Sequence, residues 1–274
     1  MIKIITDSSS DLPEEYAKKY GIEVVPLSVI FNGVSYKDGI DITKEEFYKK
    51  LEKSEELPST SQVNPADFEE IFRKYINQGD SILGIFLSSK LSGTYQSAVI
   101  AANIIGGDIH LVDSQTATLG ISILILEAVK MRNERKSIEE IEERLNLLAE
   151  KIRLIALVPT LKYLQKGGRI SNSMAIMGGI LNICPIIELK NGVLSNIGKI
   201  RGCKGFPKFL EGYLKENPID ENYYMALGHT ECEEKINEVR NIFLNDKKYI
   251  TGEIGAIVGT HAGPGAIGMV YITK

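Results

Sequence analysis

Only three cysteines occur in the 274 residues, Cys184, Cys203 and Cys232, an odd number with no C-x-x-C pair. That usage excludes a disulfide framework and paired-thiolate zinc sites, and it fits a reducing, cytoplasmic compartment. Histidine is equally scarce, with His110, His229 and His261 the full set, which leaves no surplus for a metal centre. No basic tract is present and the formal net charge is -4, so nucleic acid is not expected as a partner. Clean long apolar runs are missing too. The charge-free stretch Ile170 to Ile187 contains Asn172, Asn182 and Pro185, and Ile254 to Thr273 carries five glycines, a proline and His261. A bilayer span needs about 20 unbroken apolar residues, so both are read as buried protein and no stable membrane insertion is expected. The first residues, Met-Ile-Lys-Ile-Ile-Thr-Asp, meet a charge too soon for the apolar core of a signal peptide.

What is present describes an ordinary globular chain, 43% hydrophobic and 25% charged, large enough for one big domain or two of usual size. The first 150 or so residues alternate strand and helix. Residues 2–6 read as a buried strand, with Asp11 or Ser10 capping a helix over Leu12 to Tyr20 that Gly21 stops. Ile22 to Ile30 reads as a second strand, Asn32-Gly33 as a hairpin turn, and Thr43-Lys-Glu-Glu46 as a capping box. Pro58 to Gln62 reads as a linker before a helix carrying Phe68, Ile71, Phe72, Tyr75 and Ile76 at helical spacing. Strands over Ile82 to Leu87 and Ile109 to Val112 flank a helix over Thr94 to Ile105. Leu119 to Met131 is apolar nearly all round and predicts a helix buried on most faces. Ser137-Ile-Glu-Glu140 opens another helix with a stripe of Ile138, Ile141, Leu145, Leu148 and Ile152. This alternation predicts a mainly parallel four-stranded sheet covered on both faces.

From Leu154 the pattern changes. Strand Leu154 to Val158, a short helix over Leu161 to Gln165, and an apolar helical segment Ser173 to Ile183 come first. Asn191-Gly192 then joins the strands Pro185 to Leu189 and Val193 to Ile200 in a hairpin. Helices over Lys204 to Lys215 and Glu231 to Leu244 bracket a strand, Tyr223 to Gly228, and two strands surround Thr260-His-Ala-Gly-Pro-Gly-Ala266. The mixture predicts a second, α+β domain, with a boundary near 153–158.

The most chemically suggestive stretch is Leu87-Ser-Ser-Lys-Leu-Ser-Gly-Thr-Tyr-Gln-Ser-Ala98, where an apolar strand feeds a helix through hydroxyls and a glycine. Open α/β sheets bind ligands at such strand ends, and a helix start favours an anion. Ser88, Ser89, Ser92 and Thr94 exceed what one cap needs, although turn and cap duty accounts for part of the set. Asp7 to Ser10 and Thr60 to Gln62 are further polar strand ends, and Asp7 to Ser10 reads either as an anion site or as a cap cluster. Enzyme signatures fit poorly. A haloacid-dehalogenase pattern at Asp7 would want an acid where Ser9 stands. The G-x-S-x-G of a serine hydrolase is missing around Ser92, and no G-x-G-x-x-G follows the first strand. Among the histidines, His261 is the best candidate, between Thr260 and a glycine-rich turn; an imidazole can donate to a carboxylate.

Six motifs occur together and in order. They are Thr6-Asp-Ser-Ser-Ser-Asp-Leu12, Thr60-Ser-Gln62, Leu91-Ser-Gly-Thr-Tyr-Gln-Ser-Ala98, Val112-Asp-Ser114, Lys166-Gly-Gly-Arg-Ile-Ser171 and Thr260-His-Ala-Gly-Pro-Gly-Ala266. On these the chain resembles the DegV family of bacterial fatty-acid-binding proteins, over about residues 3–272 as one unit. The resemblance implies a three-layer α/β/α domain around a four-stranded parallel sheet, residues 1–155. A two-layer α/β domain with a mixed sheet, 156–274, is implied to follow. It implies a buried long-chain fatty acid of the palmitate class and no other cofactor. The carboxylate would be held by Thr60, Ser92 and His261, with Ser61, Gly93, Thr94, Arg169 and Arg201 as secondary candidates. It also implies a partner, a fatty acid kinase that receives the acid and makes an acyl phosphate. Two positions depart from the family pattern: Val63-Asn64-Pro65 after Thr-Ser-Gln, and Cys203 at a frequently basic position. The competing reading is an acyl hydrolase or transferase using Ser92 and His261.

The two parts of such a ligand would do different work. About 15 methylenes at ~0.8 kcal/mol each contribute on the order of 12 kcal/mol before binding costs. Two or three hydrogen bonds to the charged group add ~1.5–3 kcal/mol each but are directional. The tail then sets affinity and the hydroxyls orient the head. Leu119 to Met131 and Ser173 to Ile183 are the candidate tunnel walls.

Overall fold

A computed structural model describes residues 1–171, 183–244 and 247–274. The expected helical segment Ser173 to Ile183 lies outside the described residues except for Ile183, which begins a strand. Strands β1 (Ile2–Asp7), β2 (Glu23–Val25), β6 (Ser81–Phe86) and β7 (Ile109–Asp113) form the expected four-stranded sheet, in the order β2-β1-β6-β7. Every pairing in it is parallel. Its strands are apolar on both faces because helices cover both. Helix α3 (Pro65–Ile76) turns Phe68 and Phe72 inward, and Phe68 meets Phe86 edge-on with centroids 5.0 Å apart.

Strands from Ile152 onward build a six-stranded mixed sheet, β10-β9-β8-β13-β11-β12. The members are β8 (Ile152–Leu157), β9 (Ile183–Lys190), β10 (Val193–Arg201), β11 (Met225–His229), β12 (Tyr249–Glu253) and β13 (Ile267–Ile272). Only β11 and β12 pair in parallel. The β9–β10 turn puts Asn191 and Gly192 at φ 51° and 75°, the backbone that Asn-Gly supplies most readily. Helix α5 (Leu119–Asn133) runs between the two sheets, touching β1 and β6 on one side and β8, β11, β12 and β13 on the other. That placement is why its apolar residues show no polar face. No described helix is long and apolar enough to cross a membrane.

Four expectations need correction. Ile22 to Ile30 is two strands: β2 ends at Val25, and β3 (Ser28–Phe31) joins a different sheet. Pro26 lies between them, and its missing N–H cannot continue the ladder. Pro58 to Gln62 is not a free linker, because β5 (Ser59–Ser61) pairs antiparallel with β3, Thr60 opposite Val29. With β4 (Val34–Lys37) they make a third sheet, β4-β3-β5. The residues before the glycine-rich turn form a helix, Ala256–Ala262, rather than a strand. Finally, Asp11 does not cap α1 (Glu14–Tyr20), whose start has no side-chain cap; its carboxylate is used elsewhere.

Candidate functional site

One cavity lies between the six-stranded sheet on one side and α5 with the helix Ala256–Ala262 on the other. Its volume is about 210 Å³. Its floor is one face of the sheet, with Leu154, Ala156, Ile187, Leu189 and Val270. The roof is Leu27, Leu119, Ile257 and Val258. Residues 152–157 and 267–272 alternate faces, so the cavity side is separate from the Ile155, Leu157 and Met269 core on the other side.

Polar groups gather at one end. Thr60 comes from β5, Ser92 and Gly93 from the turn before α4 (Thr94–Ile105), Arg169 from the segment after α7 (Lys162–Lys166), and His261 from the last turn of its helix. Ser61 and Gln62, also lining, are exposed, so this end faces solvent. Thr60 Oγ1 and His261 Nε2 share a hydrogen bond of 2.9 Å. His261 Nδ1 is buried with no hydrogen-bond partner among the described residues. A bare ring nitrogen tolerates that position better than an N–H would, since a buried unpaired donor forfeits its full solvation. The proton therefore belongs on Nε2, which donates to Thr60, and the Thr60 hydroxyl proton is left for the cavity. Burial first, and then the nearby Arg169 charge, push the His261 pKa down to about 4, so the ring is neutral at pH 7.

The second hydroxyl is prepared in a similar way. Ser92 Oγ accepts the Thr94 amide at 3.2 Å and shares a 3.0 Å hydrogen bond with Thr94 Oγ1. Thr94 is fully buried, so its hydroxyl donates to Ser92 and the Ser92 proton is free to point at a ligand. Arg169 supplies a positive charge to the lining and is anchored by Nε donating to Leu91 O at 3.2 Å. These groups together suit one acceptor-rich anion with an apolar tail.

Close packing explains the glycines of two motifs. A Cβ on Gly167 would lie 2.2 Å from His261 Nδ1, and one on Gly93 2.1 Å from Gln62 Oε1. Gln62 in turn donates to Ser97 Oγ at 2.9 Å. Gly167 lies in the Lys166-Gly-Gly-Arg motif and Gln62 in the Thr60 to Gln62 strand end, but neither was among the predicted site residues.

The other candidates fall elsewhere. Thr94 is behind Ser92 and does not line the cavity, and Arg201 is exposed at the end of β10, away from it. Ser88 Oγ accepts the Lys90 amide, and Ser89 bonds Asp113. Asp7 to Ser10 is a cap cluster: buried Asp7 accepts Ser9 N, Ser9 Oγ and Leu87 N, tying β1 to the end of β6. Burial raises its pKa to about 6. Asp11 accepts Gly255 N at 2.6 Å and Thr118 Oγ1 at 2.7 Å, with Lys44 Nζ at 3.3 Å. Through Gly255 it fixes the start of the helix that carries His261. Among the described residues no group of three or more His, Cys, Asp or Glu could hold a metal.

A family model described as "Uncharacterised protein, DegV family" matches residues 1–274. A DegV domain-containing protein of Caldanaerobacter subterraneus is 42% identical over 278 residues, covering 100% of this chain and 99% of the relative. A DegV family protein from Thermus thermophilus, solved in a study of its fatty acid binding, superposes with a TM-score of 0.89 at 32% identity; 100% and 99% of the two chains are covered. A stearic-acid-binding protein from Eubacterium ventriosum superposes at 0.90, with 30% identity and the same coverage.

Proposed function

The chain belongs to the DegV family, and from that premise we propose that it is a carrier of long-chain fatty acids. The single observation that carries the reading is a cavity with apolar walls and one polar end, lined there by the Thr60 and Ser92 hydroxyls and by Arg169. The acyl chain lies along the sheet face. Its carboxylate accepts hydrogen bonds from Thr60 and Ser92, with Arg169 providing countercharge. His261 holds the Thr60 proton outward. Charge-assisted bonds of this kind are about twice as strong as neutral ones, so an acid is preferred over an alcohol or ester of the same length. The headgroup end is the exposed end, which suits presentation of the carboxylate to a fatty acid kinase that forms the acyl phosphate. Arg201, exposed beyond the cavity, is then available to that partner and not to the acid.

The hydrolase alternative needs Ser92 bonded to His261. His261 Nε2 is instead engaged by Thr60, and Ser92 by Thr94, so the pairing favours a binder.

The test has two arms. Mass spectrometry of an organic extract of the purified protein should reveal a long-chain acid. Thr60→Ala with Ser92→Ala should then weaken palmitate at least tenfold while hexadecanol changes little. Equal loss for acid and alcohol would remove the hydroxyls from carboxylate recognition.

A further inference from the structure

Resting on the fatty-acid reading above, we propose that Ile254 is the stop that sets how long an acyl chain the cavity accepts. Across the floor, at one register, stand Ile187, Ala156, Gly268, Gly228 and Gly252, each paired with the next strand's residue. Two residues along β8, β13 and β11, on the same face, stand Leu154, Val270 and Ala226 on one side and Val158, Ala266 and Thr230 on the other. From Ala156 to Gly252 the row is small, and it forms a shallow groove that crosses the strands and is bounded at one end by Ile187, because every second residue shares a face.

The groove is open at one point and filled at the next. A Cβ on Gly268 would find its three nearest neighbours all on adjacent β8, at 3.3–3.7 Å. A Cβ on Gly228 would lie 2.5 Å from Ile254 Cδ1, with Leu119 Cδ1 at 3.5 Å. So the floor continues beneath Ile254, and the isoleucine occupies the space. Ile254 lies two residues before the helix Ala256–Ala262, next to its N-cap Gly255, and His261 stands in that helix's last turn. The two therefore mark opposite ends of the wall formed by Ile257 and Val258. A carboxylate held beside His261 sends its methyl end toward Ile254. The backbone there is independently fixed, with Tyr48 Oη donating to Ile254 O at 2.8 Å, so the side chain can be trimmed without releasing the segment.

The experiment uses the full chain, stripped of lipid, and measures Kd for saturated acids of graded length by displacement of a fluorescent fatty acid. Ile254→Ala should shift the optimum to acids about two methylenes longer. It should improve the longer acid relative to the wild-type optimum by roughly tenfold, the factor that two further buried methylenes provide. Ile254→Val, a single-methyl deletion, should move the optimum the same way by a smaller step. Gly268→Val, which blocks the open point, should shift it to shorter acids. Acids bound by the Ile254 variants with an unchanged order of lengths would overturn the stop and leave the carrier reading standing. A wild-type chain that binds no acid of any length would remove both.

Discussion

Replacing Gly167 with alanine perturbs the proposed headgroup site through a single methyl group. At φ -74° and ψ -8° the Gly167 backbone is one that alanine adopts without strain, so the end of α7 is preserved. The new Cβ, however, would sit 2.2 Å from His261 Nδ1 and 2.8 Å from Cε1, well inside contact distance. The ring must swing away, and the Thr60–His261 hydrogen bond of 2.9 Å goes with it. Thr60 then loses the donor that holds its proton toward the cavity. A hydrogen bond to a charged group contributes about 1.5–3 kcal/mol, so palmitate affinity should fall by roughly 10- to 150-fold. Hexadecanol, which draws its affinity from the same apolar walls, should lose little. Titration calorimetry with both ligands, alongside thermal unfolding of the lipid-free protein, reads this directly. An unchanged palmitate Kd in a folded Gly167→Ala variant would refute the assigned His261 tautomer. So would parallel losses for acid and alcohol.

Two further outcomes follow from buried ionisable groups. The unfolded imidazole titrates near 6.5, whereas folded His261 does so at about 4. Between those values the unfolded chain takes up a proton that the native state refuses, so His261 lowers stability as pH falls through that window, by about 3 kcal/mol in full. Asp7, raised to about 6, acts oppositely: its contribution is fully present below about pH 4 and is lost as pH rises through 6. In urea unfolding, the stability of wild type minus that of His261→Gln should therefore increase from pH 4.5 to 6.5; a flat difference would exclude a neutral, buried ring. Asp11→Ala strips partners from Gly255 N and Thr118 Oγ1 and leaves Lys44 without its carboxylate. It should cost about 3 kcal/mol and weaken palmitate binding through the displaced helix, and a loss in unfolding free energy below 1 kcal/mol would count against that anchoring role.

Local chemistry made several elements legible in advance. Both capping boxes form as their residues imply, Thr43 with Glu46 and Ser137 with Glu140. Asn191-Gly192 turns the β9–β10 hairpin, and the βα alternation yields the parallel sheet. The helix Ala256–Ala262 was illegible because Gly, Val and Thr are poor helix formers in isolation. Tertiary packing overrides that preference. A Cβ on Gly259 would lie 2.6 Å from Tyr48 Oη, so the glycine is there to let the helix lie against α2 (Lys44–Lys53). At the site, the strand-end hydroxyls stood out by residue type. Gly167 and Gln62 lay within named motifs but their roles were hidden, since each matters through a close approach to a residue far away in the chain.

Amino-acid order alone determined the two boxed helix starts, the β9–β10 turn and the short polar stretches at strand ends, because those depend on neighbours within one or two turns. The cavity needed the whole molecule. Thr60 meets His261 across 201 positions, and Asp11 meets Gly255 across 244. The groove floor is a row of residues from five strands brought to one level by their register. Such a row has no periodicity along the chain, because hydrogen bonding between strands, rather than spacing within any of them, aligns it.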